Sequence, residues 1–377
     1  MTVLKKVLQW CKKEVVLSIA IILAIVSAFL IHPDKEYITY IDFRTLAILF
    51  CLMAVMAGLQ KIGLFRYVAE KLLARVRRIR SVIFILVMLC FFSSMLITND
   101  VALITFVPFT FIVLKMILGE QSEKLIVPVV VMQTIAANLG SMLTPIGNPQ
   151  NLYLYGKTDM NFIKFMLFML PYTVLAFLLL VIWCLLFRHQ GTDQIQLGMK
   201  HQTKIGEYKK QLVIYTVLFL LCILTVAHII PYGVALGIVL IVVFVLDKHV
   251  LKEVDYALLL TFVGFFVFIG NMGRIPVFNT FIQNMIDGNE VITSVVASQF
   301  MSNVPAALLL SGFTSQYELL IVGTNLGGLG TLIASMASLI SFKYIGKEYG
   351  HLKGRYMVYF TVANILFLIL LFGYTLI

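Results

Sequence analysis

Apolar and polar positions alternate in this chain on the scale of whole helices, not of single residues. Uninterrupted apolar windows run at roughly 15–32, 43–60, 162–187, 211–230, 233–247, 255–271 and 356–376, most of them near the ~20 residues that carry a helix across a ~30 Å hydrocarbon core. The runs are continuous, unlike the residue-by-residue alternation of a membrane barrel strand, so they predict helices.

Four more apolar regions are interrupted. The windows 125–155 and 316–342 contain NLGSMLTPIGNPQNLYLYG (138–156) and NLGGLGTLIA (325–334). Glycine, proline and amide residues at those places predict two broken helices. Regions 81–118 and 290–314 carry the polar tips LITNDVAL and FMSNVPAA between apolar arms. The arm 290–302 gives roughly 20 Å of helix at ~1.5 Å per residue, too short for a full crossing. Both regions are therefore predicted as re-entrant hairpins, although on length alone the first could be two short spans. The prediction is an all-α polytopic membrane protein with about nine full spans.

The halves correspond. Asp42 opens DFRTLAILF and Asp255 opens DYALLLTFV; the polar junctions LQKIGLF and NMGRIPVF follow. The hairpin tips align on Asn99 and Asn303, and the broken spans on Asn138 and Asn325. The second unit starts from the opposite side, so the repeat is inverted. Residues 1–210 form the first unit with a polar linker at 188–210, and 211–377 form a connecting span, 211–230, and the second unit. Inverted repeats with discontinuous helices are the architecture of secondary transporters. A break leaves backbone groups unpaired, which lipid does not tolerate, so four breaks imply one shared cavity.

Composition agrees. The chain is 61% hydrophobic and only 12% charged, with a net charge of +11. In a soluble protein that charge would suggest nucleic acid; here it is the basic excess of cytoplasmic loops. With the N-terminus inside, all but five of the 29 Lys and Arg fall inside, the exceptions being Lys35, Arg44, Lys157, Lys164 and Arg274. The C-terminus is then outside. The first window has a basic flank like a signal peptide, but no small-residue cleavage site follows it, so it is read as a retained span. Residues 66–80, RYVAEKLLARVRRIR, predict an amphipathic helix on the inner leaflet. The five cysteines lie in or beside apolar segments with no metal or disulfide spacing.

Candidate chemistry centres on Asp100, an acid between two apolar arms. Such a group costs ~3 kcal/mol or more unless protonated, paired or bound to a cation. A helix N-cap at the turn is the structural alternative, and the two are compatible. Around it stand Thr98, Asn99, Asn138, Thr144, Asn148 and Asn151, with carbonyls freed by Pro145 and Gly147. Their oxygens suit a small hard cation, with sodium placed at Asn99, Asp100 and Asn148. Half-helix N-termini suit an anion. Ser302, Asn303, Asn325, Thr331 and Ser335 could act likewise in the second half, where Val304 matches Asp100. For Ser335, close helix packing is an equal alternative. No Lys, Arg or His lies near the tips in the sequence.

TNDVALITFVPFT, NLGSMLTPIGNPQNLYLYG and SNVPAALLLSGFT resemble the ion transporter superfamily, and especially bacterial citrate-transporter-like permeases. The resemblance implies a homodimer in the cytoplasmic membrane, with a static scaffold and a transport domain that moves like an elevator and holds both hairpins and both broken spans. It departs from the Ser-Asn-Thr sites of the sodium–dicarboxylate branch at Val304. The Asn99-Asp100 pair resembles the arsenite-pump branch. The function expected is secondary active transport of a small anion, citrate-like or an inorganic oxyanion, with sodium or protons as coupling ion and no cofactor. A proton-coupled antiporter for sodium or arsenite is the alternative. A channel would need a continuous pore. An intramembrane enzyme would need a catalytic pair that the apolar spans lack.

Overall fold

A computed structural model describes residues 14–74, 76–186 and 205–376. The basic N-terminal flank and most of the predicted linker, 188–204, lie outside the described residues. Every regular element among those described is helical.

Helix α1 (Val15–Leu30) leads through the short α2 (Tyr37–Tyr40) to α3 (Phe43–Ile62). Asp42 starts α3 by accepting from the Thr45 amide at 2.9 Å, a side-chain N-cap that satisfies a donor the helix cannot. Gly63, at φ 82°, ends it in the left-handed conformation that glycine adopts freely. The amphipathic α4 (Leu64–Leu73) follows. It is shorter than the predicted 66–80 helix: Arg78 is extended and α5 (Ile79–Ser93) starts anew.

Helices α5 and α6 (Asn99–Leu118) run antiparallel as the first hairpin. Gln133 of α7 (Glu123–Gly140) shows this directly. Its amide donates to Leu86 O of α5 at 3.1 Å and to the Thr110 hydroxyl of α6 at 2.8 Å, and those residues flank the tip evenly. After a break come α8 (Pro149–Tyr155) and the long α9 (Phe162–Leu186). The second half brings α10 (Lys209–Val226), α11 (Tyr232–Asp247) and α12 (Tyr256–Gly273), the last capped by Asp255 as α3 is by Asp42. A short α13 (Pro276–Ile286) precedes the second hairpin, α14 (Glu290–Met301) and α15 (Asn303–Leu310). The second broken span is α16 (Tyr317–Leu326) and α17 (Met336–Glu348), and α18 (Lys353–Tyr374) closes the fold.

Burial separates centre from rim. Every residue from Leu125 to Gly140 in α7, and all of α8, is buried. The outer helices α9, α10, α11 and α18 instead expose Leu167, Ile182, Val217, Ile241, Val358 and Ile369. Apolar faces of this extent fit lipid, not water. Six helical stretches among the described residues are long and apolar enough to cross a membrane: 43–62, 99–143, 162–186, 206–226, 256–273 and 350–374; α1, α5 and α11 are shorter apolar helices. The stretch 99–143 turns back at Gly119, where φ is 56°, and so comprises α6 and α7.

Candidate substrate and ion site

Each hairpin tip is tied to a helix break, by bonds of the same kind in the two halves. Thr98 is extended, and the Asn99 amide that opens α6 donates to Gly147 O at 3.2 Å. In the second half the Asn303 amide that opens α15 donates to Ala334 O at 2.9 Å. The Thr144 hydroxyl donates to Met95 O at 2.5 Å, and the Thr331 hydroxyl to Gln299 O at 3.1 Å. Glycine is required where α7 and α16 approach the first hairpin arms. A Cβ on Gly140 would lie 2.0 Å from Phe91 O, and one on Gly327 would lie 2.6 Å from the Ser298 hydroxyl. Gly147 is confined by its own break, since a Cβ there would lie 2.1 Å from Ser141 O.

Where the breaks cross, buried amides pair crosswise. Asn138 Oδ1, on the first span, accepts from Asn99 Nδ2 and from the Ser335 hydroxyl, both at 3.0 Å. Asn325 Oδ1, on the second, accepts from Asn148 Nδ2 at 3.0 Å. Asn325 Nδ2 donates to Asn151 Oδ1 at 2.6 Å. Asn148 Oδ1 caps α8 through the Asn151 amide at 2.9 Å. Asn151 Nδ2 faces the carbonyls of Ser141, Met142 and Thr144 at 3.4, 3.3 and 3.2 Å. That side chain answers carbonyls which the Pro145 region leaves without helical partners. Every amide of the network has a partner, as most buried polar groups do.

Asp100 stands apart. Its Oδ1 is buried and has no hydrogen-bond partner. Asp100, Thr98 and Asn148 line a cavity of about 480 Å³ whose walls include Leu49, Leu52 and Met53 of α3. Ser302, Asn303, Thr331 and Ser335 do not line it: Ser335 and Asn303 are buried in the network and tip, and Thr331 is exposed with its hydroxyl spent on Gln299. Ser302 carries a positive φ of 76°, a backbone strain rare outside glycine.

The cavity also holds Lys61, His249, Glu253 and Asp255. No basic group or histidine lies near the tips in the sequence, but the fold brings Lys61 and His249 to the cavity that Thr98 and Asp100 line. In the sequence Lys61 stands in the polar junction LQKIGLF, at the end of α3. Lys61 pairs with Asp247 of α11.

Residues 6–317 match the citrate transporter (CitMHS) family. An uncharacterized transporter of Methanocaldococcus jannaschii is 32% identical over 95% of each chain. The inner membrane protein YbiR of Escherichia coli is 30% identical over 84% of each chain. A silicon efflux transporter of Oryza sativa is 33% identical over 37% of this chain and 28% of its own.

Proposed function

This chain belongs to the citrate transporter family of multi-pass membrane transporters, and we propose that within it the protein is a secondary active transporter moving a small anion, with sodium or a proton bound at Asp100 as the coupling ion. The carrying observation is the partnerless buried Oδ1 of Asp100 in a cavity beside an amide network that is otherwise satisfied. An uncompensated carboxylate in apolar surroundings holds a positive partner or a proton. Once it is neutralised, an anion can approach the N-terminal end of α6. Binding is therefore ordered, cation or proton first.

The inverted repeat is part of the same reading. Its support is the matched contacts: Asn99 with Gly147 and Asn303 with Ala334, Thr144 with Met95 and Thr331 with Gln299, Asn138 with Ser335 and Asn325 with Asn148. With α14 and α15 giving ~18 and ~12 Å of helix, the second hairpin is re-entrant. Charge bias places the N-terminus inside and the C-terminus outside. On that orientation Lys61 and Asp255 mark a cavity mouth open to the cytoplasm. A homodimer and an elevator-like movement complete the reading on family resemblance.

A second reading has its own observation. Asp100, Glu253 and Asp255 all line the cavity, and Lys61 is already paired. A multivalent anion meets net negative charge there, which favours a proton-coupled antiporter for sodium or neutral arsenite.

Reconstituted proteoliposomes separate the two. Anion jumps from a mixed panel, under independent sodium and pH gradients, are expected to give currents that need both anion and gradient, and that Asp100→Asn abolishes. Anion transport at wild-type rate in Asp100→Asn without any gradient would sink the coupling role. Currents on sodium or pH jumps alone would select the antiporter.

A further inference from the structure

The second break is filled from outside its own span. Gln299, near the end of α14, reaches into the turn at 327–331. Its Nε2 donates to Gly327 O at 3.1 Å and Leu329 O at 3.0 Å, as well as to Val295 O at 3.1 Å in its own helix. Its Oε1 accepts from the Thr331 amide at 2.9 Å. A backbone N–H can only donate, so this last bond fixes which end of the carboxamide is which. Gly330, at φ 105°, is shaped to this side chain: a Cβ there would lie 2.2 Å from Gln299 Oε1. The chain wraps the amide group.

The first half differs at the corresponding place. Met95 keeps the backbone bond to Thr144, but a thioether donates nothing. Asn151 supplies the amide there, and Asp100 adds a carboxylate oxygen without a partner. In the second half Val304 stands opposite Asp100 and is buried. Converging carbonyls around a gap in a helix attract either a cation or a donor group. Both breaks hold a covalently attached donor, Asn151 in the first and Gln299 in the second; only the first adds a carboxylate oxygen without a partner, and in the second the side chain opposite it is Val304.

We propose that the Gln299 carboxamide occupies the second break in place of a cation, so that the second half holds no coupling-ion site. This rests on the transporter reading only for its consequence, one coupling ion per cycle. It makes Gln299 a positioning residue: it also locks the second hairpin to the second broken span.

The test is ion-specific thermal stabilisation of the purified full chain, in sodium against potassium at equal ionic strength. Gln299→Ala empties the carbonyl cage, and its Tm is expected to rise by a few degrees in sodium over potassium. Gln299→Glu places a carboxylate among carbonyls, and its Tm is expected to depend on sodium more steeply. In the wild type any sodium-specific shift should follow one hyperbola and vanish in Asp100→Asn. A purely structural role predicts a lower Tm in every salt alike. Folded variants with no sodium-specific shift would overturn the proposal, as would a sodium shift surviving in Asp100→Asn. If neither Gln299 variant folds, the coupling-ion dependence of wild-type transport decides: a Hill coefficient near two refutes a single site, and one near unity supports it. The thermal readout requires no transport, so its failure and that of the transport reading are separable.

Discussion

Asn325 is the place to test whether the crossed breaks hold the molecule together. Its side chain makes bonds to Asn148, Asn151 and Ile321 O, at 3.0, 2.6 and 2.7 Å, and the residue is buried. Truncation to alanine has unequal effects on the partners. Ile321 O keeps its helical donor, and Asn148 Nδ2 keeps the Ser141 hydroxyl at 3.2 Å. Asn151 Oδ1 loses the bond from Asn325 Nδ2 and is left buried. An orphaned buried acceptor costs ~1–3 kcal/mol, and an interhelical bond inside a membrane protein contributes ~0.6 kcal/mol on average and up to ~1.7. Asn325→Ala is therefore expected to lose about 2–4 kcal/mol of stability. Unfolding in mixed micelles measures this, and a double-mutant cycle with Asn148→Ala isolates the pair at ~0.6–1.7 kcal/mol. The matching cycle, Asn138→Ala with Ser335→Ala, should give a coupling of the same order, because each pair joins a residue near the end of one broken span's first helix to the residue that starts the other's second helix. A total loss below ~0.5 kcal/mol, or zero coupling in both cycles, would mean that water satisfies these amides. The closed network, and the argument that isolates Asp100, would fall with it.

Two further substitutions probe the backbone. Gly140→Ala brings a methyl to 2.0 Å from Phe91 O, which is main chain, whereas Gly327→Ala meets Ser298 Oγ and Cβ at 2.6 and 2.8 Å and Gly323 O at 2.9 Å. Both should destabilise by overpacking, at ~1–3 kcal/mol, with Gly140→Ala the more severe; thermal unfolding in detergent in the reverse order would contradict the close-approach argument. Ser302→Gly removes a positive-φ penalty of order 1 kcal/mol and should leave the protein at least as stable. If transport falls in that stable variant, the Ser302 hydroxyl or its strained backbone is needed for function, while unchanged transport would show that neither is.

The elements legible in the sequence are those specified by composition over a short window. Apolar runs of membrane length gave α1, α3, α9, α10, α11, α12 and α18 close to their observed limits. Both breaks were visible because several glycines, with a proline in the first, cluster beside amide residues between apolar runs, and such clusters mark turns. Limits erred where polar residues extend or end a helix: α17 continues to Glu348, past 342, and α4 stops at Leu73, before the basic run. Helix α13 went unpredicted because its junction is too short and mixed to carry a periodic signal. For the site, the residue types around Asp100 were legible and their partners were not. That Asn138 meets Ser335, or that Lys61 shares a cavity with Asp100, depends on contacts far apart in the chain. No local propensity encodes them.

Those long-range partners explain why the breaks can exist. Each interruption frees carbonyls and amides that lipid would penalise by several kcal/mol apiece. The first break is answered by Asn151 and by the Asn99 amide, the second by Gln299 and the Asn303 amide. Every donor except Asn151 comes from a hairpin. Pulling a tip away from its break would therefore unmake the bonds that let the break persist, whereas moving hairpins and breaks together costs none of them. On the proposed transport reading, Asp100 then travels with that unit past α3 and α12, while Lys61 and Asp255 stay behind on the wall. The coupling ion would leave these charges when the carrier moves, so that the same residues that line the open cavity also set the electrostatic difference between its two positions.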